Sequence, residues 1–341
     1  MADGPVGVGI VGVGYWGINL VRNFAQMPEA RLRVCCDLSA ERLGAVRSVA
    51  GGARGTTDLD DLLNDPGVEA VVVATSAAYH AEVARRCLAA GKHVFVEKPL
   101  TLSARDARAL VEQADAGGRV LMVGHLMLYH PGTALLKRMI DGGELGDIFY
   151  AYSQRLNLGI IRRDENALWS FAPHDISVIL YLFGGEPVDV TARGESYIQP
   201  GIEDVVFVNL RFGDGRMAQV QLSWLDPHKV RRLTIVGSRK MVVFDDVESS
   251  EKIRVYDKGV DFSPAVVSYH ESLTLRSGDI LIPGLKMTEP LGLECRHFLE
   301  CVRGGGTPLS DGRSGWQVVK VLEAAQASLR SNGIPVRVGD P

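Results

Sequence analysis

The chain has 341 residues, more than one ordinary core accommodates, so two domains are expected. Its formal charge of −4 argues against the basic face of a nucleic-acid binder, and 46% hydrophobic with 23% charged residues is an ordinary globular balance. No apolar run approaches the roughly 18 residues that span a bilayer, so no membrane partner is expected. The opening Met-Ala-Asp-Gly-Pro lacks the basic start and apolar stretch of a signal peptide, which makes a cytoplasmic location the expectation. Of the five cysteines, Cys35 and Cys36 fall in a predicted strand, and Cys295 and Cys301 on a predicted helix. No CxxC or Cys/His spacing suggests zinc, so the cysteines are read as reduced and structural, and no metal is expected.

Taken in chain order, residues 5–11 form a short apolar run rich in β-branched residues. Gly12-Val13-Gly14-Tyr15-Trp16-Gly17 follows, then an amphipathic stretch to about Met27 and a second apolar run, Leu32 to Cys36, ending at Asp37. This is strand, glycine turn, helix, strand, acid. Gly12 permits the tight turn, Gly14 lets the backbone approach a pyrophosphate, and Gly17 lets helix pack closely on strand. The helix N-terminus faces the phosphate charge. Asp37, about 20 residues after Gly17, stands where a carboxylate accepts from ribose hydroxyls and repels a 2′-phosphate. NAD is therefore expected in preference to NADP, with Arg42 the one nearby cation that softens the choice.

The alternation continues. Val68 to Ala74 reads as a strand ending in Thr75-Ser76, Tyr79 to Ala90 as a helix stopped by Gly91, and His93 to Val96 as a strand. Ser103 to Ala116 reads as a helix capped by Ser103 and stopped by Gly117-Gly118, and Val120 to Val123 as another buried strand. Strands alternating with helices imply an α/β, doubly wound parallel sheet. Ligands of such sheets bind beyond the strands' carboxyl ends, so Thr75, Ser76, Glu97, Lys98, Gly124 and His125 are the residues to inspect. Further on, runs near 147–156, 187–197, 204–212, 216–224, 230–236 and 240–245 are short and β-rich. Gly213-Asp214-Gly215 marks a hairpin, and Phe171 to Phe183 is an apolar-periodic helix stopped by Gly184-Gly185.

Gly91-Lys92-His93-Val94-Phe95-Val96-Glu97-Lys98-Pro99 at the end of such a strand resembles the Gfo/Idh/MocA oxidoreductases. The likeness extends through Val123-Gly124-His125, Gly143-Glu144-Leu145-Gly146 and the final Glu294 to Val302 helix. It implies residues 1–125 as an NAD-binding Rossmann domain and 126–341 as an α+β substrate-binding and oligomerisation domain, built on a large, open, mostly antiparallel sheet. It also implies the cofactor set Gly12, Gly14, Tyr15, Trp16, Gly17, Asp37, Thr75, Ser76, His80, Glu97, Lys98 and His125. In the family the lysine of Glu-Lys-Pro binds the reacting hydroxyl, and a histidine on the second domain's first long helix serves as base. The matching residues are Lys98 and His174. Asp175, next to it, orients the histidine, orients substrate or caps the helix, and these readings stay open. Many relatives carry aspartate four residues before this histidine, where this chain has Ser170. For Tyr129 and His130, core packing is the expectation.

The segment Arg155-Leu156-Asn157-Leu158-Gly159, with Arg162-Arg163-Asp164-Glu165-Asn166-Ala167-Leu168-Trp169, is similar to the branch that oxidises the 3-hydroxyl of amino-sugar or uronic-acid sugar nucleotides before PLP-dependent transamination. Arginines grip phosphate or carboxylate bidentately, which makes Arg155, Asn157, Arg162, Arg163, Glu165, Asn166 and Trp169 the candidate substrate contacts. Relatives of this branch also act on aminoglycoside sugars, where Asp164, Glu165, Asp175, Glu203 and Asp204 would face ammonium groups instead. The anionic substrate is the preferred expectation. Two further readings are an NAD-dependent glycosidase without net redox turnover and a non-catalytic NAD sensor. Apolar strands such as Val205-Val206-Phe207-Val208 and Met241-Val242-Val243-Phe244 point to a homodimer or tetramer packed through the sheet.

Overall fold

The computed structural model describes residues 4–159, 161–262 and 273–339. By contacts the chain divides into two units, residues 1–129 with 288–320, and residues 130–287 with 321–339.

The first unit opens with β1 (Val6–Val11), α1 (Gly17–Gln26), β2 (Ala30–Cys36), α2 (Ala40–Val49), β3 (Arg54–Thr56) and α3 (Leu59–Leu63). It continues with β4 (Ala70–Val73), α4 (His80–Ala89), β5 (His93–Glu97), α5 (Ala104–Gly117) and β6 (Leu121–Gly124). Every pairing is parallel, in the order β3-β2-β1-β4-β5-β6. All six residues of β1 and all four of β4 are buried, as expected where helices cover both faces of a parallel sheet. Ser103 caps α5 by accepting from the Asp106 amide, and Gly118 closes it in the left-handed conformation, φ 61°. Two positions of the turn after β1 admit no side chain. At Gly12, φ 90°, a Cβ would lie 2.6 Å from the Ala74 oxygen, and at Gly17 one would lie 2.0 Å from the Gly12 oxygen.

The second unit holds α6 (Pro131–Asp141), β7 (Ile148–Leu156), α7 (Ala167–Phe183), β8 (Asp189–Glu195), β9 (Val205–Arg211), β10 (Met217–Ser223), β11 (Val230–Gly237), β12 (Met241–Asp245), β13 (Ile253–Phe262) and β14 (Leu273–Leu281). After α8 (Pro290–Gly304) and α9 (Gly312–Arg330) comes β15 (Val336–Arg337). The nine-stranded sheet runs β14-β13-β12-β11-β7-β10-β9-β8-β15. It is antiparallel except at β7 and β10. One face is apolar and covered. Val206, Val208 and Leu210 of β9 and Ala218, Val220 and Leu222 of β10 are buried on the side against which α7 packs. Alternate residues face away, and Tyr150, Tyr152, Phe207 and Met217 are exposed.

The structure differs from the expected division at 125/126. Segment 288–320, assigned by sequence order to the second domain, packs with the first unit. α8 buries Leu291, Cys295, Phe298 and Leu299, and the Phe298 ring meets Phe95 of β5 edge-on at 5.6 Å. An amphipathic helix closes whichever sheet offers it a complementary apolar face, and chain order does not decide which. The five cysteines are buried and free. Among the described residues no helix is long and apolar enough to cross a membrane, and no cluster of His, Cys, Asp or Glu has the makings of a metal site.

Candidate active site

In the first unit the candidate residues gather at the carboxyl ends of β1, β2, β4, β5 and β6. Asp37, just past β2, is 8% exposed. Its carboxylate accepts from the Val13 amide and the Ser39 amide, both at 2.9 Å, and the Arg42 guanidinium stands 3.8 Å away. The carboxylate thus ties the glycine turn to the second strand. Among the described residues other than its chain neighbours, only Arg42 comes within 4 Å of the Cβ position of Gly14, at 3.8 Å, so the turn keeps open the space a pyrophosphate needs. Tyr15 is almost fully exposed, and Trp16 donates its Nε1 proton to Glu97 Oε1 at 2.6 Å. Thr75 is half-buried and Ser76 exposed after β4.

His80 has a different setting from that of a side chain presented to a ligand. It is buried, with Nδ1 2.7 Å from the Pro99 oxygen and Nε2 3.0 Å from the Thr75 oxygen. Burial holds its pKa below the ordinary value, so its ring braces two strand ends. Lys98, half-buried, follows β5, and the Lys98–Pro99 peptide is cis. Burial pushes the Glu97 carboxyl up to about 7, against the opposing Trp16 bond and Lys98 charge. His125 is buried, with no hydrogen-bond partner for either ring nitrogen among the described residues. Burial and then the Lys98 charge push its pKa down to about 3, so it is a neutral imidazole and no proton acceptor at neutral pH.

In the second unit α7 carries His174 and Asp175. Asn166 caps the helix by accepting from the Trp169 amide at 3.1 Å, and Pro173 inside it removes one backbone donor just before His174. His174 is half-buried, and Ser170 is buried. Asp175 is buried and engaged. Ser153 Oγ donates to it at 2.5 Å, and Arg155 Nε at 2.6 Å, with both members of the ion pair 8% exposed. Arg231, paired in register with Arg155, has its pKa lowered by burial and by that neighbouring charge. Beyond it Asp246 lies 3.8 Å from Arg231 and 3.3 Å from His130 Nε2. The Arg155–Asp175 pair is buried on both sides, as a partnered ion pair can be, whereas Arg231 and Asp246 are partly exposed.

The residues singled out as substrate contacts fall into two groups. Arg155, Asn166 and Trp169 spend their polar atoms inside the unit. Asn166 Nδ2 donates to Glu203 at 2.6 Å and to Gln326 at 3.0 Å, and Trp169 Nε1 donates to Gln326 at 3.1 Å. Asn157 is half-buried, and Arg163 and Asp164 are exposed. Arg162 pairs with Glu165 at 3.0 Å. Asp204 accepts from the Tyr197 and Ile198 amides. Tyr129 donates toward or accepts from Ser310 at 2.9 Å, and His130 caps α6. Sequence reasoning missed Ser153, Arg231 and Gln326. Each reaches its neighbours through sheet register or a distant helix, and none carries a local motif.

Residues 6–125 match the model of the oxidoreductase family with an NAD-binding Rossmann fold, and residues 133–243 match the Gfo/Idh/MocA C-terminal domain. The chain belongs to the Gfo/Idh/MocA oxidoreductase family. It is 27% identical to the scyllo-inositol 2-dehydrogenase (NAD+) of Bacillus subtilis, over 96% of this chain and 95% of that one. A solved structure of UDP-N-acetylglucosamine 3-dehydrogenase GnnA from Acidithiobacillus ferrooxidans is 25% identical, with TM-score 0.80, covering 95% of this chain and 97% of its own. GenD2 from gentamicin A biosynthesis, solved in complex with NAD, is 25% identical, with TM-score 0.83, over 98% and 96%. The protein is an NAD-dependent dehydrogenase of the sugar type these relatives represent, and NAD is its cofactor. The open space at Gly14 and the Asp37 carboxylate fit that dinucleotide.

Proposed function

We propose that the dehydrogenase oxidises a secondary ring hydroxyl, at C3 of an amino-sugar or uronic-acid sugar nucleotide, to a ketone that a PLP-dependent aminotransferase then consumes. NAD supplies the hydride acceptor. The Lys98 ammonium holds the hydroxyl oxygen as it loses its proton, and His174 takes that proton. Asp175, its carboxylate occupied by Ser153 and Arg155, fixes the turn of α7 that carries His174. The observation that supports this reading is the likeness to a UDP-N-acetylglucosamine 3-dehydrogenase over nearly the whole chain. The protein works in the cytoplasm as a dimer or tetramer.

The likeness to GenD2 favours a second reading, the same oxidation on an aminoglycoside sugar. Arg163 and Asp164 are exposed on this loop, and Glu165, half-buried and paired with Arg162, stands beside them as the other candidate contact. A nucleotide diphosphate or uronate carboxylate is gripped by Arg163. Its replacement by alanine is then expected to raise KM about ten- to a hundredfold, the scale of one charge-assisted bond, and added salt to weaken binding. For a polycationic substrate Arg163→Ala is neutral or helpful, and Glu165→Gln is the damaging change. Steady-state kinetics of both variants on UDP-sugars and aminoglycosides decide between them. A harmless Arg163→Ala beside a crippled Glu165→Gln would overturn the sugar-nucleotide reading.

A further inference from the structure

The sheet face that α7 covers ends in two arginines side by side. Arg155 of β7 and Arg231 of β11 are register partners on antiparallel strands, as are Ser153 and Leu233 two residues further in, so all four side chains leave the same face. The two guanidiniums are employed differently. Arg155 is spent. Its Nε and Nη2 donate to Asp175 at 2.6 and 3.4 Å, and 8% of its side chain is exposed. Arg231 keeps 40% of its side chain exposed, and the carboxylate facing it, Asp246, stands 3.8 Å away, beyond hydrogen-bond reach. Asp246 is also shared. It lies 3.3 Å from His130 Nε2, which carries the ring's proton because Nδ1 accepts from the Gly132 amide. Among the described residues the Arg231 side chain thus makes no hydrogen bond. Burial and then the Arg155 charge lower its pKa, as expected of a cation partly stripped of water beside a like charge.

A guanidinium's planar fork takes two oxygens at once. Here the fork is open and more than half covered. It stands one strand from Arg155, whose partner Asp175 adjoins His174 on α7. We propose that Arg231 is a specificity-determining residue of the substrate site, its guanidinium taking a carboxylate carried on the sugar ring. The substrate is then a uronic-acid derivative rather than a neutral hexose or an aminoglycoside. A carboxylate suits this place better than a diphosphate does, because stripping one charge of water costs less than stripping two. The diphosphate is left to the exposed Arg163. Arg231 serves within the proposed oxidation, and its role rests on the assignment of His174 as base.

UDP-glucuronate differs from UDP-glucose only in a carboxylate for a hydroxymethyl group, and D-glucuronate from D-glucose in the same way. Titration calorimetry of all four against the NADH complex reads the contact without turnover. Wild type is expected to bind the uronate at least about tenfold more tightly than its neutral counterpart, the scale of one charge-assisted bond. Arg231→Gln should bring that ratio within about threefold and leave affinity for the neutral sugar unchanged, with Arg231→Lys in between. A purely structural Arg231, or one bound to the diphosphate, would weaken neutral and acidic UDP-sugars alike. That outcome, or a ratio that survives in Arg231→Gln, would overturn the proposal. So would a wild type without preference in either pair, which needs no variant to fold. Selectivity confined to the free sugars keeps Arg231 as the carboxylate site and removes the nucleotide. Selective binding of the uronates with no sugar nucleotide oxidised keeps Arg231 likewise and removes the proposed oxidation.

Discussion

Among single residues, burial sets two histidines apart from the proposed acid–base pair. His125 stands beside Lys98 but is held neutral with a pKa pushed down to about 3, and His80 braces two backbone carbonyls. Lys98 and His174 are half-buried and keep some access to solvent, which their proposed roles require. Lys98→Met is expected to bind NADH nearly as the wild type does while turnover falls by about a hundredfold or more, the usual scale of lost acid–base assistance. Titration of NADH fluorescence together with turnover checks it, and near-normal turnover would remove Lys98 from the chemistry. The glycine turn, Asp37 and Lys98 were legible in the sequence because the end of a parallel strand fixes where they point. The engagement of Asp175 was not. Its partners Ser153 and Arg155 lie on β7, and only the packing of α7 on that strand brings them to it.

Among elements, α7 carries His174, the proposed base, and Asn166, expected from the sequence as a substrate contact, caps its start. Asn166 accepts from the Trp169 amide and donates to Glu203 and Gln326, so its side chain is fully spent. Asn166→Ala loses a cap worth about 1 kcal/mol and leaves Glu203 without a donor. A fall in Tm of roughly 2–6 °C is expected, by differential scanning calorimetry. An unchanged Tm with a raised KM would restore Asn166 to the substrate contacts. Long amphipathic elements such as α5 and alternating strands such as β9 were legible, since their burial follows the 3.6 and 2 periods. β3 was not, because three residues with one buried carry no period. β14 exposes Leu275, Ile280 and Leu281 at the sheet's edge and shows no alternation to read.

At the scale of the whole molecule, the second unit's sheet buries one face under α7 and leaves Tyr150, Tyr152, Phe207 and Met217 exposed on the other. Exposed apolar residues gathered on one surface mark an association site. Sedimentation at micromolar concentration is expected to show a dimer or tetramer, and Tyr152→Lys with Phe207→Lys to shift it toward monomer. A stable wild-type monomer would contradict this. The central claim is net oxidation of a sugar hydroxyl by NAD, and it is tested most directly by incubating the protein with NAD and a panel of UDP-sugars, inositols and aminoglycosides while following NADH absorbance and product mass together. One NADH per molecule converted and a product two hydrogens lighter than its substrate are expected. Conversion of substrate with no NADH formed and no loss of hydrogen would contradict it.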